Sequence, residues 1–292
     1  MERFESVFNE YDFSMTDRSV AADVEKLLSE HVAENTEKAV FSQLLSFVDL
    51  TSLNTDDTVE KIGEMVEKVN QFDNQFDILP HPAGICVYPA FVPTVKDTLQ
   101  EDVDIVSVAG DFPHSQTFIE VKIAEIAMAV MEGATEIDVV FPVGKFLSGN
   151  YDEIHSELSE MKQSCREAKM KVILETGLLK NAESIKKAAL ISMCAGADFV
   201  KTSTGKGYQG ATPEAFYVMC QTVKEFNAKN GTKVGVKVAG GVSTTEDAVK
   251  YYTIVKQVLG KAWLTPDLFR IGASRLVNNL LTSIVGKEIS YF

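Results

Sequence analysis

Eight times along this chain, a short run of apolar and β-branched residues gives way to a polar turn and then to apolar residues at helical spacing. The strand-like runs are Leu44–Leu50, Gly84–Tyr88, Ile105–Ala109, Glu136–Phe141, Lys171–Glu175, Phe199–Thr202, Val234–Ala239 and Leu268–Ile271. Between them, helical spacing covers Asp57–Phe72, Thr117–Glu132, Asp152–Met170, Glu183–Ala195 and Thr212–Asn227, and a last helix is expected over Ser274–Val285. Regular alternation of this kind implies a parallel sheet, because parallel neighbours need a crossover between them. Eight units over roughly 245 residues match a closed (β/α)8 TIM barrel. An open doubly wound sheet is the rival, but no G-x-G-x-x-G follows an early strand. The expected organisation is an N-terminal helical extension over 1–40 and a barrel over 41–292. Val24, Leu27 and Leu28 give the extension an amphipathic helix. It could pack on the barrel or serve a homo-oligomer, and the sequence leaves both open.

Bulk properties exclude several roles. The net charge of −14 argues against general binding to nucleic acid or anionic lipid, which needs basic surface. No apolar run approaches the roughly 18 residues of a membrane span, and the N-terminus Met1-Glu2-Arg3-Phe4-Glu5 lacks the basic-then-apolar order of a signal peptide. Cys86, Cys165, Cys194 and Cys220 form no C-x-x-C pair, and the four histidines no ligand-spaced pair. These features fit a reduced, cytoplasmic protein needing no metal and no cofactor. Cys86, inside an apolar run, reads as core rather than as a reactive thiol.

Two strand-like runs each carry one lysine and end in small residues. D-F-V-K-T-S-T-G-K-G-Y-Q-G (198–210) holds Lys201, and V-G-V-K-V-A-G-G-V (234–242) holds Lys237. A strand-end lysine is ordinarily solvated. Two of them in apolar strands are different. At about 5 Å and an effective dielectric near 20, their repulsion is roughly 3 kcal/mol, or about two pKa units. One amine would then be neutral near pH 7 and nucleophilic. Asp138 lies among Ile137, Val139, Val140 and Phe141, so its carboxylate must pair with a buried cation or be protonated. It is a candidate acid/base, with a purely structural ion pair as the alternative. Asp49, at the end of the first run, is a fourth ionisable group at a barrel mouth.

Glycine-rich strand ends suggest an anion site. Thr204-Gly205-Lys206-Gly207, Gly240-Gly241 and Gly272-Ala273-Ser274 would offer backbone N–H donors, and the last two open helices. The loops after strands seven and eight are a recurrent phosphate position in barrels.

The blocks D-L-T-S-L (49–53), G-I-C-V-Y-P (84–89), E-I-D-V-V-F-P (136–142), E-T-G (175–177), A-G-A-D-F-V-K-T-S-T-G (195–205), G-V-K-V-A-G-G-V (235–242) and F-R-I-G-A-S (269–274) resemble the deoxyribose-phosphate aldolase family. The resemblance implies a class I aldolase on a TIM barrel, without a metal, that reversibly cleaves 2-deoxyribose 5-phosphate to acetaldehyde and glyceraldehyde 3-phosphate. It implies that Lys201 forms the Schiff base, Lys237 lowers its pKa, and Asp138 acts as acid and base through a water. It implies that Asp49 supports the site, and that Cys86 lies near the substrate pocket. The chain departs from the family pattern at Val238, where a proline is usual, at Ser243, where an arginine often stands, and at Arg275, where a second serine is common. Larger members often end in a tyrosine that assists proton transfer. Here Tyr291 is penultimate and Phe292 last. The alternatives weighed against this reading are a sugar-phosphate isomerase or epimerase, which would need a lone base and no imine, and a non-catalytic phosphosugar binder.

Overall fold

Eight parallel strands pair in sequence order and close, β1 against β8. They are β1 (Val48–Thr51), β2 (Gly84–Val87), β3 (Asp104–Ala109), β4 (Glu136–Val140), β5 (Lys169–Ile173), β6 (Phe199–Lys201), β7 (Gly235–Ala239) and β8 (Phe269–Ala273). This computed structural model describes residues 3–292, so Met1 and Glu2, which open the expected extension, lie outside the described residues.

Register decides what faces inward. Partners across a ladder share a face, and alternate residues take opposite faces. Leu50, Ile85, Val87, Ile137, Val139, Val172, Val200, Val236, Val238 and Ile271 point outward and join one apolar core with the surrounding helices. The other face lines the lumen and carries Asp49, Glu136, Asp138, Lys171, Lys201, Lys237 and Arg270, all buried. A small separate apolar cluster, Leu53, Cys86, Val106 and Val108 with Tyr88 and Phe112, fills part of the mouth. Gly84 faces the lumen too. A Cβ there would stand 2.9 Å from Asp49 Oδ1 and 3.3 Å from Arg270 Nη1, so glycine leaves room for that ion pair.

The outer helices begin where the sequence supplies hydroxyl or amide caps. Thr58, Asn181, Thr212 and Thr244 each accept from the backbone N–H three residues on. Three expected boundaries are corrected. Leu44 and Leu45 end helix α3 (Lys38–Leu45) instead of opening the first strand; a short apolar run suits either element. The helix expected to reach Met170 is Tyr151–Ser164, and the chain then turns at Arg166 with φ 53°. β5 therefore starts at Lys169, two residues early, and leaves Glu175 beyond its end. Asp49 is the second residue of β1 and not its end, so it sits inside the barrel, below the mouth.

The extension is α1 (Arg3–Phe8), α2 (Asp17–His31) and the start of α3. It packs on the barrel's own helices. α1 lies on helices Tyr151–Ser164 and Ala182–Cys194, and α2 on Pro213–Asn230 and Thr245–Val258. Phe4, Val20, Val24 and Val40 belong to the same core as the barrel. Asp17 accepts from the Ala182 N–H at 2.8 Å, at the start of its helix. The 40/41 boundary falls inside α3. Among the described residues, no helix is long and apolar enough to cross a membrane.

Candidate functional site

The lumen holds an ion network with four strands' worth of chemistry on one carboxylate. Asp138, mid-β4, accepts from Lys171 Nζ at 3.0 Å on Oδ1. On Oδ2 it accepts from Lys201 Nζ at 2.8 Å and from Lys237 Nζ at 2.7 Å. Lys171, Lys201 and Lys237 come from β5, β6 and β7, and Lys201 and Lys237 are register partners. Lys237 also meets Asp49 Oδ2 at 2.5 Å. Asp49 Oδ1 accepts from Arg270 Nη1 at 2.7 Å. Arg270 Nη2 reaches Glu136 at 3.0 Å and Asp104 at 2.6 Å, and Glu136 reaches Lys171 at 2.5 Å.

Burial and charge divide the three lysines. Burial favours the neutral amine of Lys201, Asp138 pushes back, and Lys237 adds to the depression, so the Lys201 pKa falls below its ordinary value. For Lys237, burial also favours the neutral form, but Asp138 and Asp49 outweigh it and the pKa rises. Lys171 is raised in the same way by Asp138 and Glu136. Burial would raise Asp138, yet the three lysines hold its carboxyl well below the usual range. Of the effects that lower the Lys201 pKa, desolvation leads and the like-charged Lys237 follows, with Asp138 opposing both; the repulsion argued from the sequence is not the leading contribution.

Counting the buried lumen charges gives the same division. Lys171, Lys237 and Arg270 balance Asp49, Glu136 and Asp138. The seventh group, Lys201, has no carboxylate of its own and shares Asp138 with Lys171 and Lys237.

Above Lys201 opens a cavity of about 520 Å³. Thr204, Gly205, Lys206, Gly240, Gly241, Gly272 and Ser274 all line it, together with Lys201, Ser243 and Arg275. The three glycine-bearing strand ends thus converge as expected. Gly240 and Gly241 have φ of 91° and 86°, which a side chain would oppose. The Gly240 carbonyl accepts from the Ala211 N–H at 3.0 Å, and a Cβ on Gly210 would collide with it. The loops after β6 and β7 are locked together by that contact. Lys206 donates to the Leu53 carbonyl, and Arg275 lies exposed at the rim.

Two expected residues lie beside the lysines but not on the cavity wall. Asp49 is in the network below the cavity, not among its lining residues. Cys86 is fully buried in the apolar mouth cluster, and burial raises its thiol pKa, as its core reading required. Tyr291 packs against Phe72, Phe76 and Phe292 outside the barrel wall, with its hydroxyl donating to the Lys68 carbonyl at 2.7 Å.

Four residues were missed from the sequence: Lys171, Glu136 in its pairing role, Arg270 and Glu175. The first three alternate with apolar residues in their strands, K-M-K-V-I, E-I-D-V-V and F-R-I-G-A. That period of two was the available signal. Glu175 follows β5 with φ 56°. Its carboxylate accepts from the Thr204 hydroxyl at 2.5 Å, and burial raises its pKa against that hydrogen bond. It thereby fixes the loop that brings Thr204, Gly205 and Lys206 to the cavity.

The molecule is thus a (β/α)8 barrel with a lysine–carboxylate network in its lumen, beneath a glycine-lined cavity at the strand ends. Residues 43–265 match the family described as DeoC/LacD family aldolase. The chain belongs to the DeoC/LacD aldolase family. It is 38% identical to the deoxyribose-phosphate aldolase of Mus musculus, over 85% of this chain and 82% of that one. The Homo sapiens deoxyribose-phosphate aldolase is likewise 38% identical, with the same coverage. The solved deoxyribose phosphate aldolase of Aeropyrum pernix, described as a unique tetramer, superposes with a TM-score of 0.69 at 25% identity, covering 87% of this chain and 97% of that one.

Proposed function

We propose that this aldolase cleaves 2-deoxyribose 5-phosphate reversibly to acetaldehyde and glyceraldehyde 3-phosphate through an imine on Lys201. One observation carries the reading: Lys201 and Lys237 share one oxygen of Asp138 directly beneath the anion cavity. A neutral Lys201 amine attacks the substrate aldehyde carbon. The nitrogen gives up one proton and the former carbonyl oxygen takes up two, that one and a second from solvent, so that water departs and leaves a protonated imine. Asp138 Oδ2, already on the Lys201 nitrogen, is placed to carry those protons. The imine then accepts the electron pair of the breaking C–C bond while the neighbouring hydroxyl loses its proton and becomes the aldehyde of glyceraldehyde 3-phosphate. Protonation of the enamine carbon and hydrolysis release acetaldehyde. Lys237 stays charged between Asp138 and Asp49 and disfavours a second cation on Lys201.

The phosphate fits the cavity's chemistry. Backbone N–H groups at Gly240-Gly241 and Gly272-Ala273-Ser274, with Lys206 and Arg275, offer donors and positive charge. Arg275 supplies the cation that Ser243 does not. The tetrameric relative supports a homo-oligomer, and the buried thiols of Cys86, Cys165 and Cys220 support a reducing, cytoplasmic setting. The test is retro-aldol turnover of 2-deoxyribose 5-phosphate by the purified protein with EDTA present, together with acetaldehyde and borohydride trapping. A stable two-carbon adduct on Lys201 supports the reading. Conversion of the sugar phosphate with no acetaldehyde released and no adduct points to a lone-base isomerase or epimerase, and no conversion and no adduct removes the assignment.

A further inference from the structure

The lumen below the lysines is more elaborate than imine formation requires. Arg270 and Glu136 touch neither the cavity nor Lys201. Arg270 bonds Asp49, Asp49 bonds Lys237, and Lys237 shares Asp138 with Lys201. Glu136 bonds Arg270 on one oxygen and Lys171 on the other, and Lys171 returns to Asp138. Both routes end on the carboxylate that holds Lys201. We propose that Arg270 and Glu136, on the barrel floor, are positioning residues of opposite sign that together set the charge state of Lys201. The proposal rests on the reading of Lys201 as the imine-forming amine.

Every strand contributes a charged or titratable group around Lys201. They are Asp49 from β1, Cys86 from β2, Asp104 from β3, Glu136 and Asp138 from β4, Lys171 from β5 with Glu175 beyond it, Lys237 from β7 and Arg270 from β8. Asp104, Lys169 and Glu175 stand outside the balance of three cations against three anions, Asp104 on Arg270 at the half-buried lower rim, Lys169 between Glu136 and Asp267 at the same rim, and Glu175 on Thr204. These groups are buried, so salt screens a lost charge poorly. Removing the Arg270 cation leaves an excess of negative charge, so Lys201 keeps its proton to higher pH. Removing the Glu136 anion leaves an excess of positive charge, so Lys201 loses its proton at lower pH. Loosened packing would not move one amine in two directions.

The experiment reads Lys201 without using the enzyme's own reaction. Formaldehyde and cyanoborohydride methylate neutral amines, and peptide mass spectrometry follows Lys201 alone against pH. Relative to the parent, Arg270→Met moves the half-maximal pH up by about one unit and Glu136→Gln moves it down by about one. Arg270→Lys keeps the cation and stays near the parent. The double variant Arg270→Met/Glu136→Gln returns toward the parent. Shifts of both single variants in one direction, or no shift, overturn the proposal. Glu136→Gln preserves volume, so an upward or absent shift in that variant overturns it even if Arg270→Met does not fold. Turnover of 2-deoxyribose 5-phosphate is measured in parallel. Loss of that activity in the parent with the opposite shifts intact rejects the substrate reading and leaves the floor residues in their role.

Discussion

Lys201 and Lys237 are register partners on adjacent parallel strands, and both ammonium nitrogens meet Asp138 Oδ2, at 2.8 and 2.7 Å. Their environments nonetheless separate them. Lys237 is clasped by two carboxylates and Lys201 by one, so Lys237 holds its proton more tightly than Lys201. One geometry thus gives two buried amines of opposite tendency, the Lys237 pKa raised by its two carboxylates and the Lys201 pKa lowered by burial.

That asymmetry separates two leucine variants. Lys201→Leu removes the proposed nucleophile and should lower turnover by about four orders of magnitude, while urea unfolding should change little if the amine lost is the neutral one of the proposed mechanism. Lys237→Leu leaves Asp49 and Asp138 short of a partner and costs about 3–5 kcal/mol of stability. Equal stability losses in the two variants would contradict the assignment of the charge.

The raised pKa of Lys237 fixes a pH window. Folding strengthens its hold on the proton, so its contribution to stability is complete below the unfolded lysine value near 10.4. The contribution is lost as pH climbs through the higher folded value. The stability gap between the parent and Lys237→Met should therefore be flat from about pH 6 to 10 and narrow above that range. Denaturant titrations at several pH values measure it, and a gap that widens above pH 10 would reverse the sign.

Arg275 and Lys206 stand at the cavity that receives the phosphate in the proposed reaction. Arg275→Ala should raise KM for 2-deoxyribose 5-phosphate about tenfold and leave kcat within about twofold. The effect should shrink in high salt. For unphosphorylated deoxyribose, the variant and parent should be alike, and an equal loss on both sugars would place Arg275 in another role.

Val24 is buried where α2 meets the barrel helices. Val24→Ala should lower stability by about 2 kcal/mol through lost burial and a small cavity. kcat/KM at temperatures where the variant is folded should be unchanged. A matched fall in activity would tie the extension directly to the site.

Much of this was legible in the chain. Strand–helix alternation carried the barrel, and Lys201, Lys237 and Asp138 stood out because each interrupts an apolar strand. The glycine ends after β6, β7 and β8 converged as their placement at one barrel mouth demanded. Less legible was the floor. Arg270 bonds Asp49 across 221 residues and Glu136 across 134, and such pairings depend on closure and register rather than on any local pattern. Leu44 and Leu45 show the opposite difficulty, since two apolar residues beside a turn suit a helix end or a strand start equally. Desolvation leads at Lys201 for a related reason: the depth of a side chain is a property of the closed barrel, while the repulsion between two lysines can be argued from two strands.

Helix α2 bridges Pro213–Asn230 and Thr245–Val258, the helices that follow β6 and β7. The two strands bearing Lys201 and Lys237 are thus joined twice, by their own ladder and by a splint on the outer surface. A local opening of that quarter of the barrel has to release both. Amide hydrogens of β6 and β7 should accordingly exchange with solvent deuterium among the slowest in the molecule, and shortening the chain ahead of Lys38 should quicken them before it affects the strands on the far side.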